Sequence, residues 1–268
     1  MANFETQYDS SSCIEFIDNA VKSDTVHVFL HGIGSGAGSW INQLNAIQDS
    51  RIIAWNAPGY SRSIAIDKER PTALDYSARL YQLLETLSIS RINIIGHSLG
   101  GLIASGFTST YPEMVENFIL ANPAQGYGDF DKQKQEEIAN LRPTLFQKLG
   151  GAKMARQRSD ALMYLKNEEN TKILEEVMDK ITLSGYQKSS RLLAHDSIHN
   201  YLPKIQSDIH VIYGTKDGTT KPDGMLELRD KYNKTILYPI DSAGHLSYLD
   251  QPEQFNKIIK IITSGDAL

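Results

Sequence analysis

The segment that most constrains this chain is Gly96-His97-Ser98-Leu99-Gly100. It follows the apolar run Ile92-Asn93-Ile94-Ile95 and precedes Gly101-Leu102-Ile103-Ala104-Ser105. The first run reads as a strand and the last as the start of a helix, so the pentapeptide must turn the chain sharply between them. A G-x-S-x-G turn in that setting holds its serine in a strained backbone conformation, with the hydroxyl pushed out above the sheet. Gly96 and Gly100 are there for steric reasons, because the turn is too tight for side chains against the neighbouring strand and helix. Ser98 is thus an exposed nucleophile in search of a base and an orienting acid.

Both are present further along the chain. Asp217 follows the strand-like run Ile209 to Gly214, and His245 follows Thr235 to Ile240 within Ser242-Ala243-Gly244-His245. A neutral serine hydroxyl is a poor nucleophile, so an imidazole must take its proton during attack. A carboxylate then holds the imidazole tautomer and stabilises the imidazolium. Asp217 is chosen for its position after a strand. Asp129, after the preceding strand, competes with it, Asp223 lies nearby, and Asp241 is too close in sequence to His245 to orient it. A third element precedes these. Val26-His27-Val28-Phe29-Leu30 reads as a strand entering the glycine-rich His31-Gly32-Ile33-Gly34-Ser35-Gly36-Ala37-Gly38-Ser39-Trp40. Such a segment donates one backbone N–H to an oxyanion, and the residue after the nucleophile donates the other. Ile33 and Leu99 are the candidate amides, and losing one such donor costs on the order of 3 kcal/mol of transition-state binding.

Five segments carry a family resemblance: HGIGSGAGSW (31–40), NAPGYSRS (56–63), GHSLGG (96–101), YGTKDGTT (213–220) and AGHLSYLDQPEQF (243–255). The chain resembles lid-bearing α/β-hydrolases of the esterase, enol-lactonase, haloperoxidase-like and C–C hydrolase grouping. The order Ser, Asp, His is also that of the family. The match is spread over most of the chain and is loose in the middle third. It implies an α/β-hydrolase fold, a mostly parallel twisted sheet flanked by helices. It also implies a core made of residues 1–121 and 203–268 and a helical lid inserted at 122–202, which shapes the pocket and excludes water.

The pattern along the chain agrees with alternating strands and helices. Strands are expected at 13–17, 25–30, 51–55, 92–95, 115–121, 209–213 and 235–240. Thr72 to Leu87 is expected to be an amphipathic helix with Thr72 as N-cap, its Leu80, Leu83, Leu84 and Leu87 at helical spacing. Between about 122 and 202 strand-like runs disappear, and 132–141 and 171–178 read as helices. The alternation resumes at 209 and ends in a helix over 253–262.

Composition narrows the classes of function. With 268 residues, 41% hydrophobic and 22% charged, the chain can bury a core without disulfides. A net charge of −5 argues against nucleic acid or anionic membrane as the main partner. One cysteine, Cys13, allows no intrachain disulfide and suits a reducing compartment. No apolar run is long enough to span a membrane. The segment Met1 to Glu5 lacks the features of a signal peptide, so a cytoplasmic location is expected.

The remaining residues are assigned structural parts. His27 and His210 are expected to pack within strands, His97 to pack or hydrogen-bond locally, and His195 and His199 to be structural. Trp40 is placed under the oxyanion loop and Cys13 in a buried strand. Arg142, Arg156, Arg158 and Arg191 could bind a carboxylate substrate, but nearby acids nearly balance them, so each is read as a solvated surface residue. No His/Cys/carboxylate spacing suits a metal. Gly34 to Ser39 nearly fits a dinucleotide loop, yet Ser39 replaces the third glycine and no acid follows the next strand, so no cofactor is expected.

Serine rather than aspartate at the elbow excludes alkyl-enzyme chemistry of the dehalogenase and epoxide hydrolase kind. The expected reaction is acyl transfer from a small to medium carboxylic ester or lactone. Two alternatives stand beside it: a C–C hydrolase of vinylogous diketones, and a triad-bearing small-molecule receptor with slow turnover. Members of the C–C group often carry an aromatic residue after the catalytic histidine, and Leu246 stands there in this chain.

Overall fold

The computed structural model describes residues 4–265. Within them eight strands form one sheet: β1 (Thr6–Asp9), β2 (Ile14–Asp18), β3 (Val26–Leu30), β4 (Arg51–Trp55), β5 (Ile92–His97), β6 (Val115–Ala121), β7 (Ile209–Gly214) and β8 (Thr235–Ile240). Their order across the sheet is β1-β2-β4-β3-β5-β6-β7-β8. β1 and β2 pair antiparallel, as do β2 and β4, and every other pairing is parallel. β3 and β5 are buried at every residue. That is why they read as continuous apolar runs, with both faces covered.

Seven of the eight strands lie where the sequence puts them. β1 has no counterpart in that reading: Thr-Gln-Tyr-Asp carries no apolar alternation and forms an exposed edge. Its hairpin also corrects the reading of Cys13. That residue lies in the turn before β2, partly exposed and at φ 57°, rather than in a buried strand. Here Asp9 accepts the Ser12 amide at 2.6 Å and fixes the turn. The reading of Met1 to Glu5 falls partly outside the described residues.

Helices α1 (Ile41–Ala46), α2 (Ala73–Thr86) and α3 (Leu99–Thr110) follow β3, β4 and β5. The Asp75 carboxylate accepts the Thr72 amide at 2.7 Å, which completes the expected start of α2. α2 and α3 pack on each other, and α3 also lies against β5 and β6.

Between β6 and β7 come four helices: α4 (Lys132–Leu149), α5 (Gly151–Leu162), α6 (Glu168–Asp179) and α7 (Leu183–His195). The sequence showed parts of α4 and α6 only. Pro143 stands inside α4 and reads as a breaker, while α5 buries few large apolar residues beyond Met154. Asp131, Asn167 and Thr182 cap α4, α6 and α7 with side-chain acceptors. After β7 come α8 (Pro222–Lys231), β8, α9 (Ser247–Asp250) and α10 (Pro252–Ser264), the last packed on α1, β7 and β8. No helix among the described residues is long and apolar enough to cross a membrane.

Candidate active site

β5 ends at His97, and Ser98 turns the chain into α3 at φ 53° and ψ −116°. For a non-glycine residue this backbone costs on the order of 1–3 kcal/mol and persists only where the surroundings over-determine it. They do so here. The Ser98 amide donates to Ala121 at 2.9 Å, and its carbonyl accepts from Gly101 at 2.9 Å and Ala124 at 3.1 Å. A Cβ on Gly96 would come within 2.4 Å of the Gly100 carbonyl oxygen, and one on Gly100 within 2.2 Å of the Leu30 carbonyl oxygen. Those contacts forbid larger residues at both glycines.

Asp217, in the loop after β7, and His245, in the loop after β8, meet at this turn. Nδ1–H of His245 donates to Asp217 Oδ2 at 2.9 Å. Asp217 Oδ2 also accepts from Asn122 Nδ2 at 2.8 Å and from the Thr220 hydroxyl at 2.7 Å. Its Oδ1 accepts the Thr219 and Thr220 amides at 2.7 and 3.0 Å. Burial pushes this carboxyl up, but the hydrogen bonds and charge of His245, with those from Thr220 and Asn122, outweigh it and bring it down to about 2. No hydrogen bond joins Ser98 Oγ to His245 among the described residues. Both line one cavity, and contacts of this kind commonly tighten only when substrate binds.

The sequence reading missed Asn122 and Thr220. Asn122, at the end of β6, is fully buried at φ 44°, with its Oδ1 accepting from the Ser247 hydroxyl at 2.7 Å. The dipeptide Asn122-Pro123 directly follows β6 and carries no local sign of a bond to an acid 95 residues away. None of the competing acids bonds to His245, although Asp129 lines the same cavity. Asp129 accepts the Ser197 hydroxyl at 2.6 Å, and Asp223 and Asp241 are exposed.

Ile33 follows His31-Gly32 after β3. Its amide donates to no acceptor among the described residues. Leu99 is the first residue of α3, where amides have no intrahelical acceptor. His31 braces this loop, with Nδ1 at 2.9 Å from the Gly32 oxygen and Nε2 accepting the Ala57 amide at 3.0 Å. Burial lowers His31 to about 4 and keeps it neutral. Trp40 lies fully buried between Phe29 and Tyr248, with ring centroids 4.8 and 4.1 Å away. His97 Nε2–H donates to the His245 carbonyl at 2.9 Å, and burial followed by the neighbouring His245 lowers it to about 3. It thus buttresses the His245 loop as a neutral ring.

The cavity measures about 730 Å³. Ser98, His245 and Ile33 line it from the sheet side, and Arg142, Arg158 and Leu174 from α4, α5 and α6. A second concavity of about 710 Å³ near His27 and Lys257 holds none of the residues just described. Asp250 ties the two sides together. Its carboxylate accepts the Gly244 amide at 2.7 Å and the Tyr164 and Leu165 amides at 2.8 and 3.2 Å. Burial raises this carboxyl despite those three donors.

The four arginines read as surface residues separate here. Arg156 pairs with Glu168 and Glu175, and Arg191 lies 3.7 Å from Glu69. Arg142 and Arg158 instead line the cavity, and no acid pairs with either among the described residues. His199 also lines the cavity and shares a hydrogen bond of 2.8 Å with Tyr232, while His195 meets Gln135 at 3.1 Å.

The family model of the α/β hydrolase fold matches residues 28–252, and the chain belongs to that family. Among curated proteins, the 2-hydroxy-6-oxo-6-phenylhexa-2,4-dienoate hydrolase of Comamonas testosteroni is 24% identical over 94% of this chain and 92% of its own length. Among solved structures, an esterase from Exiguobacterium antarcticum superposes with a TM-score of 0.81 at 18% identity, covering 93% of this chain and 96% of that one. The enol-lactonase from Burkholderia xenovorans LB400 superposes with a TM-score of 0.78, also at 18% identity, covering 96% of this chain and 100% of that one. At that identity the likeness is one of fold.

Proposed function

We infer that this protein is a serine hydrolase of carboxylic esters or lactones, working through an acyl-enzyme. The observation that carries this reading is the buried Asp217–His245 hydrogen bond of 2.9 Å, facing the cavity onto which the strained Ser98 opens. His245 Nε2 takes the Ser98 proton as Oγ attacks the carbonyl, and the Ile33 and Leu99 amides receive the oxyanion. The imidazolium, held by Asp217, protonates the leaving alcohol. Water activated by the same ring then releases the acid. Helices α4 to α7 act as the lid over residues 122–202, excluding water and shaping the pocket. The core is assigned to 1–121 and 203–268.

The curated relative from Comamonas testosteroni supports a second reading, C–C bond hydrolysis, on the same residues. Leu246, buried beside His245 and lining the cavity, weighs toward the ester or lactone reading. Labelling with a fluorophosphonate, peptide mapping and a chain-length series of p-nitrophenyl esters test the proposal. An adduct on Ser98 with repeated turnover, both lost in Ser98→Ala while the circular dichroism spectrum is kept, is the expected result. An adduct without turnover would favour the C–C reaction, or a receptor. Turnover surviving in Ser98→Ala would end the mechanism.

A further inference from the structure

Arg142 on α4 and Arg158 on α5 pose a charge problem. Both are half-buried and line the cavity that holds Ser98 and His245. Burial, and after it the nearby Arg158, make Arg142 a weaker base than usual, and the other groups acting on it are the neutral phenols of Tyr186, Tyr127 and Tyr60. The charges of Arg158 and Arg142 both act on the buried Tyr186 hydroxyl, which has no hydrogen-bond partner among the described residues. Two like charges share a partly dehydrated wall with no carboxylate between them, whereas Arg156 and Arg191, on the same insertion, have glutamate neighbours.

The rest of the lining does not cancel this charge. The cavity's other charged residues are Lys221 and Lys231 against Asp129 and Glu227, all four exposed. Two unpaired guanidinium groups therefore remain inside, in a protein whose net charge is −5. A guanidinium fork matches a planar carboxylate, and half-burial strengthens the attraction relative to water. Structural use does not account for the pair: neither guanidinium bridges two elements through an acid.

Resting on the ester or lactone hydrolase reading, the geometry points to an anionic substrate: Arg142 and Arg158 bind a carboxylate that the substrate carries away from its scissile carbonyl. The favoured class is the half-ester or lactone of a dicarboxylic acid. The sheet side supplies the reaction and the insertion supplies the selection for charge.

The test compares mono-p-nitrophenyl adipate with p-nitrophenyl hexanoate, esters of similar length that differ in the terminal carboxylate. Expected is a kcat/KM ratio of about tenfold or more in favour of the charged ester, carried mainly by KM. Arg142→Gln and Arg158→Gln should each bring the ratio toward one, Arg142→Lys should restore part of it, and Arg156→Gln should leave it unchanged. Melting curves identify any variant that does not fold. Calorimetric titration of Ser98→Ala with adipate reads the site without turnover. Binding of adipate that is lost with Arg142→Gln would sustain the inference even if neither ester were hydrolysed, a result that would count against the hydrolase reading alone. A ratio near one in the parent chain together with no adipate binding would overturn it. So would tighter binding of a phosphate-terminated analogue, since that would assign the arginines to phosphate.

Discussion

The sheet side and the helical insertion face each other across one cavity, and they hold their residues in different ways. On the sheet side each group of the proposed triad sits in a turn after a parallel strand, and backbone bonds help to fix it. Ser98 is held through Ala121, Gly101 and Ala124, and Asp217 through the amides of Thr219 and Thr220. On the insertion side Arg142 and Arg158 project from helices whose positions depend on packing. Position along the chain specifies the first kind of site, and three-dimensional packing specifies the second. The first is therefore expected to be stiff and intolerant, and the second adjustable.

The largest effect should come from the acid that orients His245. Asp217→Asn should lower kcat about 10³–10⁴-fold, because an amide cannot hold the same tautomer against the imidazolium. Asp129→Asn, which disturbs only the bond to Ser197, should change kcat by no more than a few-fold. Steady-state kinetics on the best ester decide it. The reverse ranking would move the acid to the segment after β6 and break the assignment of chemistry to the strand-end turn after β7.

That contrast also explains what was legible in the sequence. The elbow at Ser98, the loops of Asp217 and His245 and the glycine-rich turn that contains Ile33 each follow an apolar strand, so periodicity and order were enough to place these segments at strand ends. Thr220 and Asn122 act through side-chain bonds to Asp217 across a separation of 3 and 95 residues, and only the second separation hides its partner from any local pattern. Thr220 was within reach, three residues after the acid. The insertion yielded half its helices, because Pro143 and the polar α5 obscure the period. Arg142 and Arg158 were misread, while Arg156 and Arg191 are the surface residues expected, because charge balance along a segment says nothing about which cations face an acid and which face a cavity.

Asp250 joins the two regions, and removing it should loosen one against the other. Asp250→Ala leaves the Gly244, Tyr164 and Leu165 amides without their acceptor, at a cost of about 1–3 kcal/mol. Faster hydrogen exchange at Tyr164 and Leu165, just after α5, than within α5 itself, with a rise in KM larger than the fall in kcat, would show that the insertion moved while Ser98, Asp217 and His245 stayed. An equal loss throughout the chain would mean that the two regions unfold as one.

A further test concerns pH. The Asp217 carboxyl is held at about 2 in the folded chain against 3.8 for the free group. Its contribution to stability is therefore complete above about pH 4 and is lost as pH falls toward 2, amounting to about 2 kcal/mol. Urea unfolding across that window should show a slope that Asp217→Asn reduces. An identical slope in the variant would place the acid sensitivity elsewhere.

The smallest effect belongs to the exposed face of the insertion. Arg156 bridges Glu168 and Glu175 from α5 to α6, with all three side chains in contact with solvent. Water and salt screen such pairs, and ordering the side chains costs entropy. Arg156→Gln should therefore leave the melting midpoint and the activity within the scatter of repeat measurements. A clear fall in melting temperature that high salt fails to reproduce in the parent chain would show that this network fixes α5 on α6. Through α5 it would then also fix Arg158, and the insertion would be as stiff as the sheet it covers.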